Sequence, residues 1–497
     1  MLSLLMSAAL LAQPATVEPV DWEKMGEETL AAAKAKTPVT GQAKNVILFI
    51  ADGTDITTIT AARILAGQKQ GGPGEDHVLN FETMPFTGLS KTYNTNMQTP
   101  DSAGTATAML TGHKTKAGVI NVDETIIRGS CESSKGKELS SMMKVANDTG
   151  RSVGVISTAR ITHATPATVY ASSADRDWES DKYMPEDASE CMDIASQLLA
   201  AAKAGTVELA LGGGREKFMP SDVADPEYPD ENGERKDGRN LTAEWTGLNS
   251  RNKFVWNAEG FAALNPKQKG QVLGLFEPSH MQYEADRAED SAGEPSIAEM
   301  TGFAIDKLSR NRDGFFLMVE GGRVDHANHA GNAARALEDL IAFDEAVKVA
   351  LEKTDPENTL IVVTEDHGHT LVFQGYPQRG NPILGLVKGV DDDGAPADDF
   401  AKASDGKPYT TLAYGNGPGS PFAGHKDDEA VTRPTVTEEE AMDIDYRQQS
   451  IIPSYSETHG GQDVPIYASG PQAHLLTGVV EQSFIYYVMR EALTAEE

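Results

Sequence analysis

Cysteine is almost absent from this chain: 497 residues include only Cys131 and Cys191. That excludes a cysteine-rich metal module, so any bound ion must sit on Asp, Glu and His. The pair itself leaves two readings, one disulfide in an exported chain or two buried thiols. Basic residues are scarce as well, 43 Lys and Arg against 75 Asp and Glu, giving a formal charge of −32. A surface of that sign excludes a nucleic-acid backbone or an anionic membrane as partner. The acidity fits a saline setting, several bound cations or a plainly solvated surface. Long hydrophobic runs are also missing. The opening "MLSLLMSAALLA" is too short to span a bilayer and matches the apolar core of an export signal, with small residues at Ala12 and Ala15, although no Lys or Arg precedes Lys24. Residues 1–15 are therefore expected to be a signal peptide or its remnant, and the protein to be periplasmic or extracellular. No cysteine follows that run and the tail "EALTAEE" is polar, so no lipid or membrane anchor is expected.

What the chain does have is a series of continuous apolar, β-branched runs: "NVILFIADGT" (45–54), "SVGVIST" (152–158), "VELALGGG" (207–214), "GFFLMVEGG" (314–322), "TLIVVTEDHGH" (359–369) and "VPIYASG" (464–470). Runs without alternation suit strands buried on both faces. Helix-like stretches such as "ITTITAARILAGQ", "KELSSMMKVANDTG" and "NAARALEDLIAFDEAVKVALEK" lie between them. The alternation predicts an α/β fold with a doubly wound, mostly parallel central sheet and helices on both faces. Residues 40–497 are expected to form one domain. Two polar stretches, about 220–260 and about 375–455, read as insertions, the second a crown-like loop region.

Ligands of such sheets bind at the carboxyl ends of the strands. Four of the runs lead there into polar residues: Asp52, the "THAT" segment with His163 and Thr165, Glu320, and Asp366 with His367 and His369. Any one of them alone reads as a turn residue or helix cap. Together they define one edge. "VEGGRVDHANHAGN" adds Asp325 and His329, whose i, i+4 spacing puts both on one helix face, able to chelate an ion. His459 in "ETHGG" would complete a zinc site with them, and His326 reads as a group that supports a ligand or contacts phosphate. Asp52 could bridge to a second zinc held by Asp366 and His367. The oxygen set of Asp52, Thr165 and Glu320 suits magnesium.

The stretch "QTPDSAGTATAML" starts at Gln98. Pro100, Asp101 and Ser102 read as a helix cap and first turn, or Ser102 as a nucleophile at a helix N-terminus that favours an anion. The small residues behind it would then leave room for a bulky anionic group. A zinc ion beside Ser102 would replace the histidine base of a hydrolase triad, which fits the absence of G-x-S-x-G.

"ADGT", "PDSAGTATA", "THATPA", "EGGRVDHANH", "TEDHGH" and "ETHGG" resemble the alkaline phosphatases in order and spacing, from about Asn45 to Leu493. "TAARILAGQ", "DPEYP", "FEPSHMQYE", "GYPQRG", "YGNGPG" and "GPQAHL" make the resemblance closer to the animal-type members. It implies hydrolysis of small-molecule phosphate monoesters through a phosphoserine at Ser102, with Arg176 clamping the phosphoryl group. One zinc would take Asp325, His329 and His459, the other Asp52, Asp366 and His367. Magnesium would take Asp52, Thr165 and Glu320 with His163 nearby, and His369 would lie close to the zinc cluster. A calcium-like ion is implied at Glu227, the Phe276 backbone oxygen, Glu277 and Glu294, the last in place of the usual aspartate. The resemblance also implies a Cys131–Cys191 disulfide and a homodimer in which Tyr376 reaches toward the partner. A sulfatase would need a C/S-x-P-x-R context that "DSAGTA" lacks, and phosphodiesterases and phosphomutases of this superfamily generally carry threonine as nucleophile. A non-catalytic cation- or phosphate-binding exported protein would be expected to have lost Ser102, Arg176 or a zinc ligand, and all are present.

Overall fold

The computed structural model describes residues 21–188, 190–422 and 431–495. The expected export signal at 1–15 lies outside them. Ten strands form one sheet. In chain order they are β1 (Asn45–Ala51), β2 (Phe86–Lys91), β3 (Ser152–Arg160), β4 (Leu209–Gly213), β5 (Lys253–Val255), β6 (Val272–Leu275), β7 (Phe315–Gly321), β8 (Thr359–Glu365), β9 (Val464–Ser469) and β10 (Gly478–Glu481). Their order across the sheet is β10-β2-β9-β8-β1-β7-β3-β4-β6-β5. All pairs are parallel except the two made by β9, which runs antiparallel to both β2 and β8.

The central strand β1 explains why the apolar runs do not alternate. All seven of its residues are buried. Val46, Leu48 and Ile50 face one apolar core, and Ile47, Phe49 and Ala51 face another. The first core is closed by helices that include Ser102–Thr111, Ala164–Tyr170, Ile194–Ala204 and Phe484–Thr494. The second is closed by Ile56–Lys69, Ile297–Leu308 and Ala333–Lys353. Each large apolar side chain buried this way contributes on the order of 1.5–3 kcal/mol, so a polar residue in β1 would cost stability on either face.

The two polar stretches are partly built into the fold. Within 220–260 the chain forms the helix Leu241–Leu248 and then β5, which closes one edge of the main sheet rather than merely decorating it. Around 375–455 a separate three-stranded sheet joins Leu371–Phe373, Leu412–Gly417 and Ser450–Pro453. A two-residue ladder pairs Gly368–His369 with His459–Gly460, setting His369 opposite His459.

Cys131 and Cys191 form a disulfide across 60 residues of sequence. It staples a small apolar cluster around Val119, Val122, Ile126 and Trp178 that is separate from the two main cores. Closing a loop of that length stabilises by about 4 kcal/mol through the unfolded chain's lost entropy. Replacing both residues by serine should lower the unfolding free energy by up to that amount, read as a lower urea midpoint, with the far-UV circular dichroism of the folded protein unchanged. An unaltered midpoint would show that the bridge contributes nothing to stability.

Candidate active site

Strand register gathers the acidic residues. In the ladder, Ile50 sits opposite both Glu320 and Thr364, Ala51 opposite Gly321 and Glu365, and Ser157 opposite Glu320. Asp52 and Asp366 are each the next residue along, so three carboxylates leave the same edge of adjacent strands. Gly53 makes the turn after β1 with φ +69, and a Cβ there would lie 2.5 Å from His369 Nε2 and 2.7 Å from Asp325. Only glycine permits both the backbone conformation and the approach of the Asp325 helix. That helix, Arg323–His329, follows β7 directly and presents Asp325 and His329 one turn apart.

Ser102 opens the helix Ser102–Thr111, and Asp101 is its N-cap: the Asp101 carboxylate accepts from Gly104 N at 3.1 Å. Ser102 Oγ lies 3.2 Å from Asp52 Oδ1 and 3.1 Å from His367 Nε2. The small residues behind it also serve packing. All ten helix residues are buried, and a Cβ on Gly104 would run into the Asn94 side chain. They let the helix pack closely, while Ser102 and, one turn on, Thr105, whose hydroxyl donates to Asp366 Oδ2 at 3.3 Å, face the site.

The ligand-type atoms converge in three places around Ser102. One atom each from Asp325, His329, His369 and His459 lie within 4.8 Å of one another, as do atoms of Asp52, Asp325 and His367, and of Asp52, His163 and Glu320. His329 Nε2 and His459 Nε2 face each other at 3.1 Å, and each is 3.4 Å from Asp325 Oδ1. Nitrogen and oxygen ligands about 2.0–2.1 Å from a tetrahedral zinc stand about 3.3 Å apart, so this spacing fits the ion. Asp366 joins the second group through His367 Nε2, 3.2 Å from its Oδ2. In the third, Thr165 Oγ1 is 3.4 Å from Asp52 Oδ2, and Glu320 Oε1 is buried with no hydrogen-bond partner. An orphaned carboxylate oxygen is costly unless a cation meets it.

The electrostatics agree. Burial, with Asp366, Asp325 and Glu320 close by, pushes the Asp52 carboxyl well above its usual range. Burial likewise lifts Glu320 to about 7 and raises Asp366. Burial opposes ionisation of Asp325 too, yet the surrounding histidines hold it well below the usual carboxylate range. Burial, reinforced by His459, keeps His367 neutral, the form in which imidazole binds metal.

Arg176 is the residue that local sequence alone would place at the surface. Its guanidinium instead reaches the site, with Nη1 3.1 Å from Asp101 Oδ2 and Nη2 3.1 Å from His163 Nε2. His326 stacks near His280, ring centroids 4.0 Å apart, with His163 5.5 Å from His326. At the remote acidic site, Glu227 and Glu277 lie within 4.8 Å of Asp290, a residue that sequence reading missed. Glu294 is buried beside them, with Oε1 accepting from Gln282 N at 3.0 Å and Oε2 unpartnered, and burial lifts it to about 9. Phe276 is fully buried at the end of β6. Sequence reading also missed Ser157, whose hydroxyl bonds Glu320, and Glu457, which bonds His369. The register of β3 against β7 would have found Ser157, but only once the sheet was known.

The family model for alkaline phosphatase matches residues 43–495. The chain belongs to the alkaline phosphatase family. It is 43% identical over 484 residues to the tissue-nonspecific alkaline phosphatase of Gallus gallus, covering 96% of this chain and 89% of that protein. To the alkaline phosphatase of Gadus morhua it is 42% identical, over 96% of this chain and 97% of that one. Two solved structures share the fold. The Thermus thermophilus alkaline phosphatase has a TM-score of 0.64 at 23% identity, with 95% of each chain covered. The enzyme of the Antarctic bacterium TAB5 has a TM-score of 0.60 at 21% identity, covering 92% of this chain and 100% of that one. The protein is accordingly a metal-dependent phosphomonoesterase.

A raised carboxyl pKa has a definite sign. Glu320 ordinarily titrates near 4.5 and is lifted to about 7 in the folded, metal-free chain, with Asp52 displaced in the same direction. The stability tied to these protons is fully present below the unfolded value and is lost as pH rises through the folded one. Bound cations favour the ionised form and cancel that loss. The melting temperature of metal-loaded minus metal-stripped protein should therefore widen from about pH 5 to about pH 7.5. Differential scanning calorimetry reads it directly, and a constant gap would mean that no cation meets these carboxylates.

Proposed function

We propose that the enzyme hydrolyses phosphate monoesters through a phosphoserine at Ser102, with two zinc ions and one magnesium ion. One observation carries the reading. Ser102 Oγ sits where the ligand groups meet, within hydrogen-bond distance of Asp52 and His367, two side chains of the group that would hold a cation beside it. Asp325, His329 and His459 would hold one zinc, Asp52, Asp366 and His367 the other, and Asp52, Thr165 and Glu320 the magnesium beside His163. Zinc bound there supplies Lewis acidity that lowers the pKa of the serine hydroxyl and offsets charge on the departing oxygen. A TAB5 variant with aspartate in place of a histidine has been solved with magnesium in the site called M3, which supports magnesium as a family ligand.

The chain's own residues orient the reaction. The Asp101 cap points the helix N-terminus and Ser102 Oγ at the phosphorus, and the Arg176 fork takes two phosphoryl oxygens. Asp101 and His163 hold that fork from either side. Ser102 Oγ displaces the alcohol in line, and water displaces Ser102 Oγ in a second in-line step. Two inversions leave the configuration at phosphorus retained.

Residues 40–497 act as one catalytic domain, exported from the cell. Glu227, Phe276, Glu277 and Glu294, together with Asp290, would take calcium, for which four neighbouring carboxylates are suitable hard ligands. A second copy would cover Tyr376, which is 92% exposed, and the helix Trp22–Ala35, which buries none of its residues against the rest of the chain.

The test is hydrolysis of p-nitrophenyl phosphate at alkaline pH before and after chelation. Activity should vanish with the chelator and return with zinc plus magnesium. Ser102→Ala should lose at least about 10³-fold in kcat and trap no phosphate on acid quenching. No turnover by the fully metallated wild type would leave a cation- or phosphate-binding protein as the better reading.

A further inference from the structure

Glu457 is 1% exposed and carries a carboxylate that no step of the reaction uses. Its Oε1 accepts from Thr370 N at 2.6 Å and from Thr370 Oγ1 at 2.5 Å. Its Oε2 bonds His369 Nδ1. The far side of the same ring, Nε2, lies 2.8 Å from Asp325 Oδ1, the oxygen that also faces His329 and His459. The backbone of Glu457 meets a second member of the group: its carbonyl accepts from His329 Nδ1 at 2.6 Å, and its N–H donates to His329 O at 2.9 Å. Bonding at Nδ1 leaves Nε2 of His329 as the ligand atom. Two residues further on, the chain places His459. One buried residue thus touches, or leads directly to, every member of the Asp325, His329 and His459 set.

We propose that Glu457 is the positioning residue of this ion site, fixing His329 through its backbone and Asp325 through its carboxylate and the His369 ring. The inference rests on the two-zinc reading above. The carboxylate is the part a substitution can remove, because the backbone bonds to His329 survive any side chain. Without it the His369 ring loses the anchor on Nδ1, and Asp325 Oδ1 is no longer held toward the two histidines. The other group, Asp52, Asp366 and His367, has its own supports: Gly53 N donates to Asp366 Oδ1 at 3.0 Å, and His367 N donates to the same oxygen at 2.8 Å. Loss of the Glu457 carboxylate should therefore weaken one zinc and spare the other.

The experiment measures zinc per chain and stepwise zinc affinity by chelator competition for wild type, Glu457→Ala, Glu457→Asp and Glu457→Gln. Wild type should bind two zinc ions. Glu457→Ala should bind one of them about 10–100-fold more weakly, the usual effect of removing a partner that orients a metal ligand. Glu457→Asp, whose shorter arm cannot reach Thr370 and His369 together, should shift the same way and serves if the alanine variant does not fold. Glu457→Gln keeps the reach and should recover most of the affinity. Two zinc ions bound as tightly in the alanine or aspartate variant as in wild type would overturn the inference, as would equal weakening of both ions. A wild-type chain that binds no zinc would instead bring down the two-zinc reading, and this inference with it.

Discussion

The structure depends on the repulsion among four buried carboxylates, those of Asp52, Asp325, Asp366 and Glu320. Charges of like sign a few ångströms apart in a water-poor interior cannot all ionise unless cations share the space. Parallel strand register sets Asp52, Asp366 and Glu320 side by side at the carboxyl ends of β1, β8 and β7, and the helix that follows β7 brings Asp325 in beside them. The residues nearby are arranged around that cost. Burial keeps His367 and His329 toward the neutral form, so they offer ligand nitrogens without adding charge, and Gly53 lets the Asp325 helix come close enough to join.

The same constraint accounts for the contrast between the chain's overall charge and its chemistry. A protein with a formal charge of −32 would repel a phosphate dianion. Within the cleft, cations taken up by the carboxylates as proposed would reverse the sign, and Arg176 adds a fixed positive fork. Asp101 has two tasks there, capping the helix that begins at Ser102 and bracing that fork. One carboxylate thus ties the direction of Ser102 to the position of Arg176.

Much of this was legible in the sequence because it is periodic or local. Six apolar runs were identified as strands, and all six lie in the sheet. β2, β5, β6 and β10 were not, because they are short or edge strands whose residues are partly exposed or interrupted by glycine, as in "VLGL" of β6. The helix within "KELSSMMKVANDTG" is shorter than its pattern suggests, Met142–Asp148 alone. Among site residues, those at strand ends or at helical spacing stood out. Arg176 needed the family resemblance, since "ADRDWESD" has the polarity of any surface loop. Ser157 and Glu457 escaped because each acts on a partner far away in the chain, and Asp290 because one more acid in the polar stretch "RAEDSAGEP" carries no periodic or strand-end signal.

By itself the sequence determined the strands buried on both faces, the helix that begins at Ser102 and the residue types able to hold metal. Hydrophobic patterning, capping and donor chemistry are all properties of short segments. Tertiary structure alone decided which ligand-type side chains converge, that Arg176 faces inward and that Glu457 bonds two residues more than 85 positions away, His329 and His369. Those outcomes depend on register between strands and on the approach of helices across a sheet, distances fixed only when the whole core closes.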